Sequence, residues 1–156
     1  MNKKIRISVL VSGNGTNLQA LINAQKNKII KSGKIELVIS NNSNAFALKR
    51  AEKSKIPFEI ISKKEFKKIE EFEKKLKEIL KSYKIELIVL AGFMSVLSKN
   101  FVKDYPKRII NIHPSLIPSF CGKNFYGIKV HEEAIKRGVK ITGATTHFVN
   151  EIIDGG

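Results

Sequence analysis

The sequence predicts an alternating α/β domain with a mostly parallel sheet and helices on both faces. Short, β-rich apolar runs alternate with longer stretches of helical periodicity along the chain. The first such run opens directly into a glycine loop and then a helix. Neither an internal repeat nor a linker interrupts the 156 residues, a length suited to one domain with a substantial core.

Composition narrows the class. Hydrophobic residues make up 42% of the chain, which argues for a folded protein. No apolar run approaches the ~20 residues that a membrane helix requires. Met1-Asn2-Lys3-Lys4 leads into only seven mostly apolar residues, unlike a signal peptide. Cys121 is the sole cysteine, so no intrachain disulfide forms; a cytoplasmic protein is expected. The formal charge of +15 would suit nucleic acid or an anionic substrate. The excess is almost entirely Lys, however, with Arg only at 6, 50, 108 and 137 and no Arg-aromatic cluster. Specific nucleic-acid binding is therefore not expected.

In chain order, Ile5–Val11 reads as a strand buried on both faces. It ends in Ser12-Gly13-Asn14-Gly15-Thr16-Asn17, and Leu18, Leu21 and Ile22 then give a helix an apolar stripe. Such a loop offers unpaired backbone N–H groups to an anion at a helix N-terminus. Leu18 stands where a dinucleotide fingerprint needs its third glycine, and no Gly-Lys-Ser/Thr is present, so a phosphate monoester is the expected ligand. A plain tight turn is the alternative. A side chain at Gly13 or Gly15 should block approach to those N–H groups.

Ile35–Ser40 is the second predicted strand, ended by the turn-prone Asn41-Asn42-Ser43-Asn44. A helix follows through Ala45, Leu48 and Ala51 until Ile56-Pro57 breaks it, and Phe58–Ile61 is a third strand. From Lys63 to Tyr83, apolar residues at spacings of three and four predict one amphipathic helix. Ile85–Leu90 is a fourth strand, running into Ala91-Gly92-Phe93-Met94, small enough at its start for close approach of a ligand.

Ile109 and Ile110 lead into Asn111-Ile112-His113-Pro114-Ser115-Leu116-Ile117-Pro118, a strand end stiffened by two prolines. Asn111 and His113 lie two apart and so share a face. Together they pair a hydrogen-bond-donating amide with a group that exchanges protons near neutral pH. A turn histidine satisfied by backbone is the plainer reading. The chain continues through an aromatic, glycine-punctuated loop (119–127), a helix from Val130 to Arg137, a strand from Thr142 to Val149 and a closing loop. The Gly13 loop, Ala91–Met94 and Asn111/His113 all fall at carboxyl ends of strands, where ligands bind such sheets.

Three segments, Val11–Asn17, Leu90–Met94 and Asn111–Pro118, with Gly143–Val149 and Asp154-Gly155-Gly156, resemble the phosphoribosylglycinamide (glycinamide ribonucleotide) formyltransferase family of purine biosynthesis. The resemblance spans essentially the whole chain and implies a Rossmann-like fold. It also implies formyl transfer from 10-formyltetrahydrofolate to the amine of 5-phosphoribosylglycinamide, both small molecules, in a monomer or homodimer. Carried over by position, Gly13, Asn14, Gly15, Thr16 and Asn17 would hold the substrate phosphate. Met94, Ser95, Val96 and Leu97, with Asn111 and the loop Asn150, Glu151, Ile152, Ile153 and Asp154, would line the folate pocket. Asn111, His113 and Asp154 would be the catalytic trio: Asn111 stabilising the oxyanion, His113 moving protons, Asp154 favouring protonated His113 and raising its pKa. No metal is required. Ser95 stands where some relatives carry Arg, and Ile69 lies near the position of a cofactor-contacting Arg in others.

Methionyl-tRNA formyltransferase shares the Asn-x-His centre but needs an RNA-binding domain for which this chain has no room. Formyltetrahydrofolate hydrolase shares the trio but has no use for a phosphate loop. A catalytically silent phosphate-binding module is a third alternative. Cys121 with His113 would be a nucleophile pair, but nothing in the sequence lowers the thiol pKa; His113, His131, His147 and Asp154 would be a metal set, but show no ligand spacing. His147, between Thr146 and Phe148, reads as a satisfied core histidine. Family members continue past Asp-Gly-Gly, so residues 1–156 are expected to be one formyltransferase domain lacking its C-terminal part and poorly active or inactive as given; a natural short form completed by a partner chain is the alternative.

Overall fold

A computed structural model describes residues 3–156; Met1 and Asn2 of the basic opening lie outside them. The chain divides into two compact units, the first reaching Ser98 and the second running from Lys99 to Gly156.

The first unit holds β1 (Ile5–Val11), α1 (Thr16–Lys26), β2 (Gly33–Ser40), α2 (Phe46–Lys53), β3 (Phe58–Ile60), α3 (Ile69–Ser82) and β4 (Leu87–Leu90). Its strands run in the order β3-β2-β1-β4, all pairs parallel. Val9, Val11 and Val38 pack with Leu18 and Ile22 of α1 and Ala47, Leu48 and Ala51 of α2. Leu10, Leu37 and Ile39 point to the opposite face and are equally buried, so the sheet is covered on both sides. The order reverses at β1, which lies between β2 and β4, and this places the ends of β1 and β4 at a topological switch point.

The helix ends share one device. After α2, Lys55 N–H reaches Glu52 O (2.9 Å) and Ile56 N–H reaches Ala51 O (3.0 Å), a Schellman stop. Lys28-Ile29 and Lys84-Ile85 repeat the pattern after α1 and α3, with each Lys at positive φ.

The single helix expected over Lys63–Tyr83 is corrected. A 3₁₀ turn at Lys63–Glu65 is capped by the Ser62 hydroxyl, and Phe66 and Lys68 are extended before α3 begins. Phe66 keeps its place in the apolar stripe by packing edge-on against Phe72, ring centroids 6.0 Å apart. The apolar spacing was therefore real, but the Ser62 cap closed the first turn separately.

The second unit holds α4 (Lys99–Asp104), β5 (Ile109–His113), α5 (Ile128–Lys136) and β6 (Thr145–Phe148). The short α4, with buried Phe101 and Val102, was not anticipated. The expected strand over Thr142–Val149 is confined to β6, whose first residue, Thr145, donates its hydroxyl to Ser115 O (2.7 Å) and accepts from Ile117 N–H (3.1 Å). β5 and β6 pair antiparallel, with Asn111 opposite His147 and His113 opposite Thr145. With parallel strands β1–β4 and this one antiparallel pair, the fold is mostly parallel α/β. Among the described residues, no helix is long and apolar enough to cross a membrane.

Candidate active site

In the first unit the loop after β1 is fastened from one side. Ser12 O accepts from Asn42 Nδ2 (3.2 Å), Gly13 O from Ala47 N–H (3.1 Å), and Asn14 O from Arg50 Nε (2.8 Å). Three successive carbonyls thus face α2 and the turn before it. A peptide's N–H points opposite its C=O, so the N–H groups of Gly13, Asn14 and Gly15 are turned away from that side. Gly13, Asn14, Thr16 and Asn17 are exposed, and Gly15 caps α1 in a left-handed conformation, φ 72°. The α1 macrodipole adds its positive end here.

The two glycines are not equivalent. A Cβ on Gly15 would lie 2.6 Å from Ala47 Cβ and 2.8 Å from Ala47 Cα, whereas one on Gly13 meets nothing within 4 Å. The expectation that a side chain at either position blocks the ligand side is therefore corrected for Gly15, where it would collide with α2.

At the end of β4, Met94 N–H donates to Ser12 Oγ (2.7 Å), tying this segment to the end of β1. Ser95 Oγ accepts from Asn41 Nδ2 (2.8 Å). Met94 and Val96 are exposed, Ser95 and Leu97 half-buried. Exposed apolar side chains on a pinned backbone suit a flat, partly apolar ligand.

The second unit brings Asn111, His113 and Asp154 together. His113 Nδ1 lies 3.5 Å from Asp154 Oδ2, with side-chain exposures of 5% and 11%, so the pair is largely shielded from water. Gly122 N–H also donates to Asp154 Oδ2, at 2.8 Å. His113 Nε2 contacts Phe120 O at 2.9 Å; a carbonyl only accepts, so Nε2 carries the proton there. Asp154 is held at positive φ by its loop: Asn150 Nδ2 donates to Gly155 O (2.9 Å) and Asn150 Oδ1 accepts from Ile152 N–H (2.9 Å). Glu151 pairs with Lys103 at 3.8 Å, and Ile152 and Ile153 present exposed apolar side chains.

His147 is the residue that sequence reasoning undervalued. It is buried as expected, yet its Nε2 lies 3.3 Å from Asn111 Nδ2 and 3.9 Å from Asp154 Oδ1. Its Nδ1 faces Phe148 O at 3.3 Å. That fixes the proton on Nδ1 and leaves Nε2 to accept from the Asn111 amide. One Asn111 N–H is thereby anchored and the other remains for a ligand. The residue opposite Asn111 in a strand pair was the available signal, but reading it required the β5–β6 register.

The competing pairs are not formed. The Cys121 thiol donates to Pro118 O (3.1 Å), and the His113 nitrogens face Phe120 O and Asp154. His131 lies on α5, exposed to solvent.

A parallel sheet with a glycine loop at its switch point, with Asn111 and His113 on β5 and Asp154 in the loop after β6, fits one class: the chain belongs to the formyl transferase family, whose model matches residues 5–156. Within that family it is similar to phosphoribosylglycinamide formyltransferase of Haemophilus influenzae, 42% identical over 151 residues, 97% of this chain and 68% of that protein. It is also 44% identical over 153 residues to the trifunctional purine biosynthetic protein adenosine-3 of Gallus gallus, covering 98% of this chain but 15% of that protein. The crystal structure of glycinamide ribonucleotide transformylase 1 from Symbiobacterium toebii matches with a TM-score of 0.90 at 36% identity, over 98% of this chain and 69% of that one. The chain thus spans about two thirds of its bacterial relatives and a small part of the vertebrate one.

Proposed function

We propose that this chain carries the glycinamide ribonucleotide formyltransferase reaction, moving a formyl group from 10-formyltetrahydrofolate to the amine of 5-phosphoribosylglycinamide. The observation that carries the reading is the anchored amide of Asn111 beside the His113–Asp154 pair. The folate donor supplies the formyl group and departs as tetrahydrofolate; Met94–Leu97 and Asn150–Asp154 are the segments suited to hold it.

The Gly13–Asn17 loop takes the substrate phosphate through backbone N–H groups. As the substrate amine attacks the formyl carbon, negative charge grows on the formyl oxygen. Asn111 donates its remaining N–H to that oxygen, and His147 keeps the amide aimed. His113, with Nε2 already protonated toward Phe120 O, receives at Nδ1 the proton that the amine sheds, directly or through water, and returns it to the departing folate nitrogen as the old carbon–nitrogen bond breaks. Phe120 O orients the ring through Nε2, and Asp154 beside Nδ1 stabilises the positive charge that develops on it, a role its near burial strengthens. Gly122 N–H donates to Oδ2, the same carboxylate oxygen that faces His113, and helps to hold it in place.

Formyl transfer with 5-phosphoribosylglycinamide, methionyl-tRNA and water as competing acceptors tests the reading. Formylation of the phosphoribosyl amine alone is expected. Release of formate, or formylation of methionyl-tRNA, would transfer the assignment to one of the related activities.

A further inference from the structure

Arg50 was not among the residues that the sequence marked for function, yet it is the most elaborately held cation of the first unit. Its Nε donates to Asn14 O (2.8 Å), Nη2 to Asn14 Oδ1 (3.3 Å) and Nη1 to Gln19 Oε1 (3.2 Å). The guanidinium stacks over the Phe46 ring, 4.9 Å from its centroid. Every one of these partners is neutral, so none of these contacts offsets the charge of Arg50. It is half-buried, which strengthens its field at the loop.

The bond to Asn14 O matters most. That carbonyl and the Gly15 N–H belong to one peptide unit, and holding the oxygen toward α2 turns the N–H the other way. Gly15 sits at positive φ, where glycine has wide rotational freedom, so this peptide needs an external restraint. Asn14 Oδ1 and Gln19 Oε1 keep the guanidinium plane in register, and a planar fork can satisfy these acceptors together where an ammonium cannot. We propose that Arg50 is a positioning residue for the anion loop: it fixes the Asn14–Gly15 peptide so that Gly15 N–H faces the phosphate, and adds unneutralised positive charge behind it. This rests on the loop's being the phosphate site.

The test is calorimetric binding of 5-phosphoribosylglycinamide, and of the same compound without its phosphate, to the wild-type chain, Arg50→Met, Arg50→Lys and Gly13→Ala. Loss of one charge-assisted restraint should weaken the phosphorylated ligand roughly tenfold or more in Arg50→Met. Arg50→Lys, which keeps the charge but not the fork, should fall between. The dephosphorylated compound should bind all the Arg50 variants alike, which a generally damaged fold would not permit. If Arg50→Met binds the phosphorylated ligand within twofold of wild type while Gly13→Ala does not, the role of Arg50 is wrong and the loop assignment stands. Equal weakening of both compounds in Arg50→Met and Arg50→Lys also overturns the positioning role. If the phosphate adds nothing to binding in wild type, or Gly13→Ala is as silent as Arg50→Met, the loop reading falls with it.

Discussion

Replacing Gly13 and Gly15 separately by Ala should give opposite results. At Gly15 the backbone is left-handed, φ 72°, which costs a residue with a Cβ about 1–2 kcal/mol. The new methyl would also press on Ala47 at 2.6 Å and 2.8 Å, the second contact to backbone that cannot rotate away. Overpacking of this kind adds about 1–3 kcal/mol. Gly15→Ala should therefore lose roughly 2–5 kcal/mol, a large share of the ~5–15 kcal/mol typical of a domain. At Gly13 φ is not positive and the methyl meets open space, so stability should stay within about 0.5 kcal/mol of wild type. Under the proposed phosphate role of this loop, that methyl would crowd the approaching anion. Loss of one bond to a charged oxygen, about 1.5–3 kcal/mol, would weaken phosphate binding roughly 10- to 100-fold. Urea unfolding read by circular dichroism, paired with calorimetry, separates the two effects. Equal stability of the two variants would refute the account of how α2 seats this loop.

Three further outcomes concern the scaffold. Glu73 is buried and accepts from both the N–H (2.6 Å) and the hydroxyl (2.5 Å) of Ser98, so Glu73→Ala should cost about 2–4 kcal/mol in urea unfolding; a loss under 0.5 kcal/mol would contradict that role. Lys55 sits at positive φ in a Schellman stop, and Lys55→Gly should raise stability by up to about 1 kcal/mol, visible as a higher thermal midpoint; a lower midpoint would count against the strain argument. The Arg6 backbone N–H above all, then Lys3, holds the Glu86 carboxyl below its usual range. A lowered folded value means stability present at neutral pH and lost as pH falls through the carboxylate range. Urea midpoints should therefore decline less steeply on acidification in Glu86→Gln than in wild type, and identical slopes would oppose this.

Much of the architecture was legible because its signals were local. The apolar runs of β1, β2 and β4, the glycines after β1 and the two-residue spacing of Asn111 and His113 need no distant partner to be read. What escaped depended on pairing across the chain. His147 became part of the site only through its register opposite Asn111, and Arg50 only because α2 returns to the loop 36 positions earlier. Asp154 came from resemblance, since no periodicity marks a residue in an irregular loop. The break before α3 was hidden because Phe66 keeps the helical spacing while its backbone is extended. The lysines at positive φ were missed because that position ordinarily selects glycine or asparagine.

The proposed function is formyl transfer carried by Asn111 and His113. Its most direct test joins this chain to the region of the Haemophilus influenzae relative that it does not span, and measures single-turnover transfer from 10-formyltetrahydrofolate to 5-phosphoribosylglycinamide. The joined protein should formylate the amine, and Asn111→Ala and His113→Ala should each slow the step by about two to four orders of magnitude while melting as wild type does. Near-native turnover in either variant would contradict the account.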